Sequence, residues 1–184
     1  DNSALCVRQG NTVFEVETFA SMDLMQLCGI IKNRYDDATV LEKPQEIMVD
    51  VIGIGSGVVD RLRELNLPVR GINVAESPSS KKNYLNLRAE LWFKIKEWLG
   101  GRDCRLPEDE ELVRELASPG YKYTSTGKIK IESKEEMRKR GLKSPDRADA
   151  LALTMATSAV GGGSMTYLGY NFRKPLKSKI IRVG

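Results

Sequence analysis

A chain of 184 residues, 41% hydrophobic and 29% charged, fits one globular domain of ordinary size built on a single core. No apolar run approaches the roughly 18 residues of a membrane span and nothing at the start resembles a signal peptide, so a cytoplasmic protein is expected. The formal charge of +4 is unevenly placed: no acid follows Asp149, whereas Arg173, Lys174, Lys177, Lys179 and Arg182 do, so the residues before them carry 24 bases against 25 acids.

In chain order, residues 1–8 alternate into a strand. The turn Gln9-Gly10-Asn11 leads to a second strand, Thr12 to Phe19, giving a hairpin. A chain opening at the edge of a hairpin reads as part of something longer. Ser21 is expected to cap a helix from Met22 to about Asp36, whose apolar Leu24, Leu27, Cys28, Ile31 and Tyr35 recur at helical spacing. Ile47 to Ile52 then forms an apolar, β-branched run of the kind that is covered on both faces, followed by Gly53, Gly55 and Gly57 and a helix from about Gly57 to Asn66. Residues 68–74 read as another strand, so that strand, helix and strand suggest a parallel crossover.

A loop over 76–82 precedes a long helix, Tyr84 to Leu99, with Leu87, Leu91, Ile95 and Trp98 as its inner stripe and Gly100-Gly101 as its stop. Pro107 with the acids after it starts another helix. Residues 120–131 predict a second hairpin, and Ser133-Lys-Glu-Glu136 is a capping box opening a short basic helix that ends at Gly141. Ser144 as cap and Pro145 in the first turn start a nearly all-apolar helix that carries Asp146 and Asp149. Beyond residue 160 a glycine run reads as a linker to a flexible basic tail over 161–184.

Three carboxylates stand out. Asp50 lies inside the apolar strand, where a bare charge costs several kcal/mol, on the order given for desolvated ions, unless a cation or hydrogen-bond donors meet it. Asp146 and Asp149 are three apart at a helix start, so they share a face at the rim of the core. Taken singly, first-turn acids complement the helix dipole and an Asp can cap a glycine turn. The chain has no histidine, which removes the commonest general base and the usual zinc ligand. Any metal must therefore be held by oxygen, favouring Mg²⁺ or Mn²⁺. Cys6, Cys28 and Cys104 lack CxxC spacing and read as reduced thiols. Between the second hairpin and the acidic helix, Lys128, Lys130, Lys134, Arg138 and Arg147 belong to a basic cluster suited to DNA phosphates.

The stretches Ile47-Met-Val-Asp50-Val-Ile-Gly-Ile-Gly-Ser-Gly-Val-Val-Asp60 and Ser144-Pro-Asp146-Arg-Ala-Asp149-Ala-Leu-Ala-Leu resemble the second and third acidic motifs of the nuclease domain of tailed-bacteriophage terminase large subunits, the DNA-packaging motors. The resemblance runs from residue 1 to about 157; Asp-x-x-Asp-Ala-Leu is similar also to Holliday-junction resolvases of the same superfamily. It implies an RNase H-like α/β fold over residues 1–160, a mixed sheet flanked by helices with an extra β-hairpin. The implied activity is a metal-dependent endonuclease that cuts concatemeric viral DNA at the start and end of packaging, using two Mg²⁺ or Mn²⁺ ions and no zinc. Asp50 and Asp149 would be the catalytic metal ligands, with Asp146 a ligand or a supporting carboxylate. The implied partners are double-stranded viral DNA, an ATPase domain of the same polypeptide, the portal and the small terminase subunit, in the cytoplasm of the infected bacterial host. One departure is that the family's first acidic residue, which lies on a first strand before the turn finished by Asp1-Asn2-Ser3, is not in this chain. The glycines after Asp50 are not followed by Gly-Lys-[Ser/Thr], so no nucleotide phosphate loop is present.

Two other readings stand beside this one. A dinucleotide-binding module also uses strand, glycine loop and helix, but the spacing here is Gly-x-Gly-x-Gly and the Asp inside the strand does not suit it. A non-catalytic docking domain of the packaging motor is the second, and divalent-metal binding separates it from a nuclease.

Overall fold

The computed structural model describes residues 2–39, 43–156 and 180–183, the last four as backbone. Strands β1 (Ser3–Gln9) and β2 (Thr12–Phe19) form the expected antiparallel hairpin, turning through Gly10 at φ 53°. Helix α1 (Leu24–Asp37) starts later than Ser21 suggests. Asp23 is its cap, accepting the Gln26 N–H at 2.8 Å while the Gln26 side chain accepts the Asp23 N–H at 3.0 Å.

Strand β3 (Ile47–Asp50), helix α2 (Gly55–Glu64) and strand β4 (Val69–Ile72) make the parallel crossover that the sequence indicates. Helix α3 (Leu87–Gly100) is capped by Asn86 and α4 (Glu110–Ala117) by Asp109. Strands β5 (Tyr121–Tyr123) and β6 (Ile129–Ile131) form the second hairpin as a separate two-stranded sheet. The Ser133–Glu136 capping box opens α5 (Lys134–Lys139), and α6 (Asp146–Leu153) carries the acid pair.

The tail departs from expectation. Residues 180–183 form a strand, β7 (Ile180–Val183), at the centre of the main sheet, whose order is β2-β1-β7-β3-β4. It runs antiparallel to β1 and parallel to β3, joining two pairs that would otherwise face each other with unmatched N–H and C=O groups. The rest of the tail reading, over 161–179, lies outside the described residues.

Strand alternation divides the core into two layers. Leu5, Val7, Ile47 and Val49 pack with α1 and α2 on one face of the sheet. Ala4, Cys6 and Met48 pack with α3, α4 and α6 on the other. Among the described residues no helix is long and apolar enough to cross a membrane.

Candidate metal and active site

The same alternation aims Asp50. It follows Met48 by two residues, so it leaves the end of β3 on the face covered by α6, where Asp149 stands. The glycine loop beyond it serves packing. A Cβ on Gly55 would lie 1.6 Å from the Asp50 carbonyl oxygen, and one on Gly57 would lie 2.3 Å from Leu24. These close approaches seat α2 against β3 and α1, while Gly53, at φ 69°, faces open space and lines the cleft.

Helix α6 presents the other two carboxylates. Its cap residue, Pro145, has no side chain able to cap it, and the Ala148 N–H is taken instead by Glu115 Oε2 of α4 at 3.0 Å. Burial pushes the Glu115 carboxyl up to about 7, against these backbone donors. At the far end of the helix Arg8 of β1 donates to the Thr154 side chain and carbonyl, both at 2.8 Å. Arg147 reaches away from the acids to the Val16 carbonyl at 2.8 Å and Asp109 at 2.9 Å. The helix is thus fastened to β1, β2 and α4.

Asp50, Asp146 and Asp149 line one cleft of about 660 Å³ together with Arg88, Lys130 and Lys134. Asp146 is buried, its Oδ1 accepting the Ser144 hydroxyl at 2.6 Å and its Oδ2 the Asn2 N–H at 3.0 Å. The Lys134 ammonium sits 3.2 Å from Asp146 Oδ1 and 3.4 Å from Asp149 Oδ2. Asp149 Oδ1 accepts the Trp92 indole N–H at 2.9 Å and the Arg88 guanidinium at 3.1 Å. Burial raises the Asp50 carboxyl above its ordinary range and the Asp149 charge adds to this, while the Ile52 N–H and Lys134 oppose it. Among the described residues no three Asp, Glu, Cys or His side chains are gathered tightly enough to enclose a metal ion as they stand. The donors facing the cleft are nevertheless hard oxygens suited to Mg²⁺ or Mn²⁺, and a side-chain cation already lies between two of them.

Of the basic residues singled out in the sequence, Lys130 and Lys134 border the cleft. Lys128 and Arg138 lie on the hairpin and on α5, outside its lining. Arg147 does not join them, being held at Asp109 and β2. Glu136, lowered to about 2 first of all by Lys122, lies 2.7 Å from Lys122 and 4.0 Å from Lys130. Sequence reasoning missed Arg88, Trp92 and Glu115. A buried Trp asks for a partner for its N–H, but nothing local to α3 names a residue on α6.

No family model and no curated protein sequence matches the chain. Solved structures do. The nuclease domain of the large terminase subunit gp2 of bacterial virus Sf6 superposes with a TM-score of 0.69 at 20% identity, covering 85% of this chain and 83% of that one. A manganese-bound mutant of the same domain gives 0.66 at 19%, over 83% and 82%. The magnesium-bound large terminase nuclease from thermophilic phage G20c gives 0.63 at 16%, over 84% and 74%. The chain therefore has the RNase H-like fold of these terminase nuclease domains.

Proposed function

We propose, on this shared fold and the three carboxylates that meet in its cleft, that the chain is a divalent-metal-dependent endonuclease cutting concatemeric viral DNA during genome packaging. The observation that carries the reading is the convergence of Asp50 from β3 with Asp146 and Asp149 from α6, two elements far apart in sequence that share one cleft. Mg²⁺ or Mn²⁺, as two ions, would supply charge stabilisation to the attacking water and the leaving oxygen of a phosphodiester. Asp50 and Asp149 would hold the metal, with Asp146 beside them as a further ligand or support. The unfavourable charging of half-buried Asp50 would be relieved by a cation facing it. Lys128, Lys130, Lys134 and Arg138 would receive the DNA backbone along the hairpin and α5, making binding salt-dependent and tolerant of sequence. Double-stranded viral DNA is then the substrate; an ATPase domain of the same polypeptide, the portal and the small terminase subunit are the proposed partners in the infected host's cytoplasm.

The ion pairs that Lys134 makes with both acids of α6 favour one competing reading, a docking domain of the packaging motor without catalysis. Plasmid nicking in Mn²⁺, Mg²⁺ and EDTA separates the two. The expected outcome is cutting that EDTA abolishes and that Asp50→Ala and Asp149→Ala each reduce by at least on the order of 100-fold, the upper loss for residues that merely support a ligand. No cutting together with no Mn²⁺ binding favours the docking domain, whereas cutting that EDTA leaves intact overturns the metal-dependent reading.

A further inference from the structure

Asp149 is gripped on one oxygen. Oδ1 accepts the Trp92 indole N–H at 2.9 Å and both Nε and Nη2 of Arg88, at 3.3 and 3.1 Å, whereas Lys134 lies 3.4 Å from Oδ2. Arg88 and Trp92 are four residues apart on α3, so they rise from one face and reach the same carboxylate. The guanidinium lies 5.8 Å from the indole centroid and is itself anchored by the Glu132 carbonyl at 2.8 Å. Trp92 is 7% exposed, so its N–H needs a protein acceptor, and Asp149 provides it. A terminal carboxylate torsion is otherwise broad, so a free Asp could swing either oxygen into the cleft.

We propose that Arg88 and Trp92 are positioning residues that commit Oδ1 of Asp149 to the protein and leave Oδ2 as the oxygen offered to a divalent cation. The inference rests on the metal reading above. It gives the carboxylate one fixed direction and shares part of its charge with Arg88, so that a hard cation would meet one oriented oxygen there.

The test uses the two Trp indole N–H resonances of ¹⁵N-labelled protein together with Mn²⁺ affinity by calorimetry. Asp149→Asn is expected to move the Trp92 signal and leave that of Trp98, which donates to Asn11 at 3.0 Å. Sub-stoichiometric Mn²⁺ should broaden Trp92 before Trp98, which lies about 9 Å further along the helix. Trp92→Phe, which keeps the ring packing, and Arg88→Met should each weaken Mn²⁺ binding about 10- to 100-fold, with Arg88→Lys in between. If Asp149→Ala abolishes Mn²⁺ binding while Trp92→Phe and Arg88→Met bind as tightly as the unaltered protein, the positioning role is overturned and the metal site stands. A melting temperature lowered without a change in affinity would mean a purely structural tie between α3 and α6, and also overturns it. Mn²⁺ binding that is absent, or indifferent to Asp149→Ala, removes the metal reading and this inference with it. Should Trp92→Phe fail to fold, Arg88→Lys and the Asp149→Asn resonance shift decide the matter.

Discussion

Lys134 acts on Asp146 and Asp149 as a tethered cation, 3.2 and 3.4 Å from their oxygens, and so competes for the place that a divalent ion would take. Lys134→Ala is expected to lower the metal-free stability by about 1–3 kcal/mol, because two facing carboxylates lose their shared partner. The same variant should show a larger Mn²⁺-induced rise in melting temperature than the unaltered protein, and an equal or smaller rise would count against the competition. Glu115 makes a pH-dependent contribution. Its folded value of about 7 lies above the ordinary 4.5, so the folded state holds a proton that the unfolded state releases, and stability falls as pH rises between these values. Glu115→Gln keeps an acceptor for the Ala148 N–H and removes the charge; thermal melts from pH 4.5 to 8 should show a flatter profile, differing by on the order of 1 kcal/mol after allowing for its partial exposure. Asp50 could be singled out in the sequence because an acid inside an apolar β-branched run breaks the local pattern. Arg88 and Trp92 could not, since their partner lies far along the chain and their spacing on α3 suits an ordinary helix face.

At the level of elements, the second hairpin has two unlike faces. Lys122 and Lys130 are cross-strand partners on one face, Tyr121 and Tyr123 pair with Ile131 and Ile129 on the other, and Lys130 and Ile131 both border the cleft. Charge reversal at Lys128 and Lys130 together should weaken DNA binding and reduce the slope of log affinity against log salt by about 2, roughly one for each phosphate that is no longer neutralised. Titration of a fluorescent duplex at several salt concentrations measures this, and an unchanged slope would remove the hairpin from the DNA path. Capping chemistry explains where boundaries could be read. Ser133 with Glu136 marks the start of α5 unambiguously, but Ser21 and Asp23 are both good caps, and Gln26 three residues after Asp23 decides between them. At α6 the sequence offers Ser144 and Pro145, yet the Ser144 hydroxyl is turned onto Asp146 and the capping acceptor comes from Glu115 of another helix.

For the whole molecule, the two faces of the sheet have separate duties. The α1 and α2 side is mainly packing, with Arg34 of α1 paired to Glu15 and Glu17 of β2, while the α3, α4 and α6 side carries Asp146, Asp149 and Arg88 of the cleft at the carboxyl end of β3. The sequence suggests a single core; the structure divides it in two because period-two alternation in β1 and β3 sends neighbouring residues to opposite layers. The central position of β7 is not legible in the sequence: four residues among lysines and an arginine, beyond a glycine run, carry too little pattern to reveal what lies on either side of them. A chain shortened to end at residue 179 should lose more stability than the short length removed suggests, because β1 and β3 would each face an unmatched edge; urea denaturation of the two lengths measures the difference, and equal midpoints would show the strand to be dispensable. The placement of β7 also constrains the order of events in folding. Both hairpins and the β3-α2-β4 crossover can form from neighbouring residues, but joining them requires the last described residues to find β1, nearly the whole sequence away. Such a high contact order makes closure of the sheet a late and slow step, after local structure has already formed. Until β7 docks, β1 and β3 each present an open edge within this sheet.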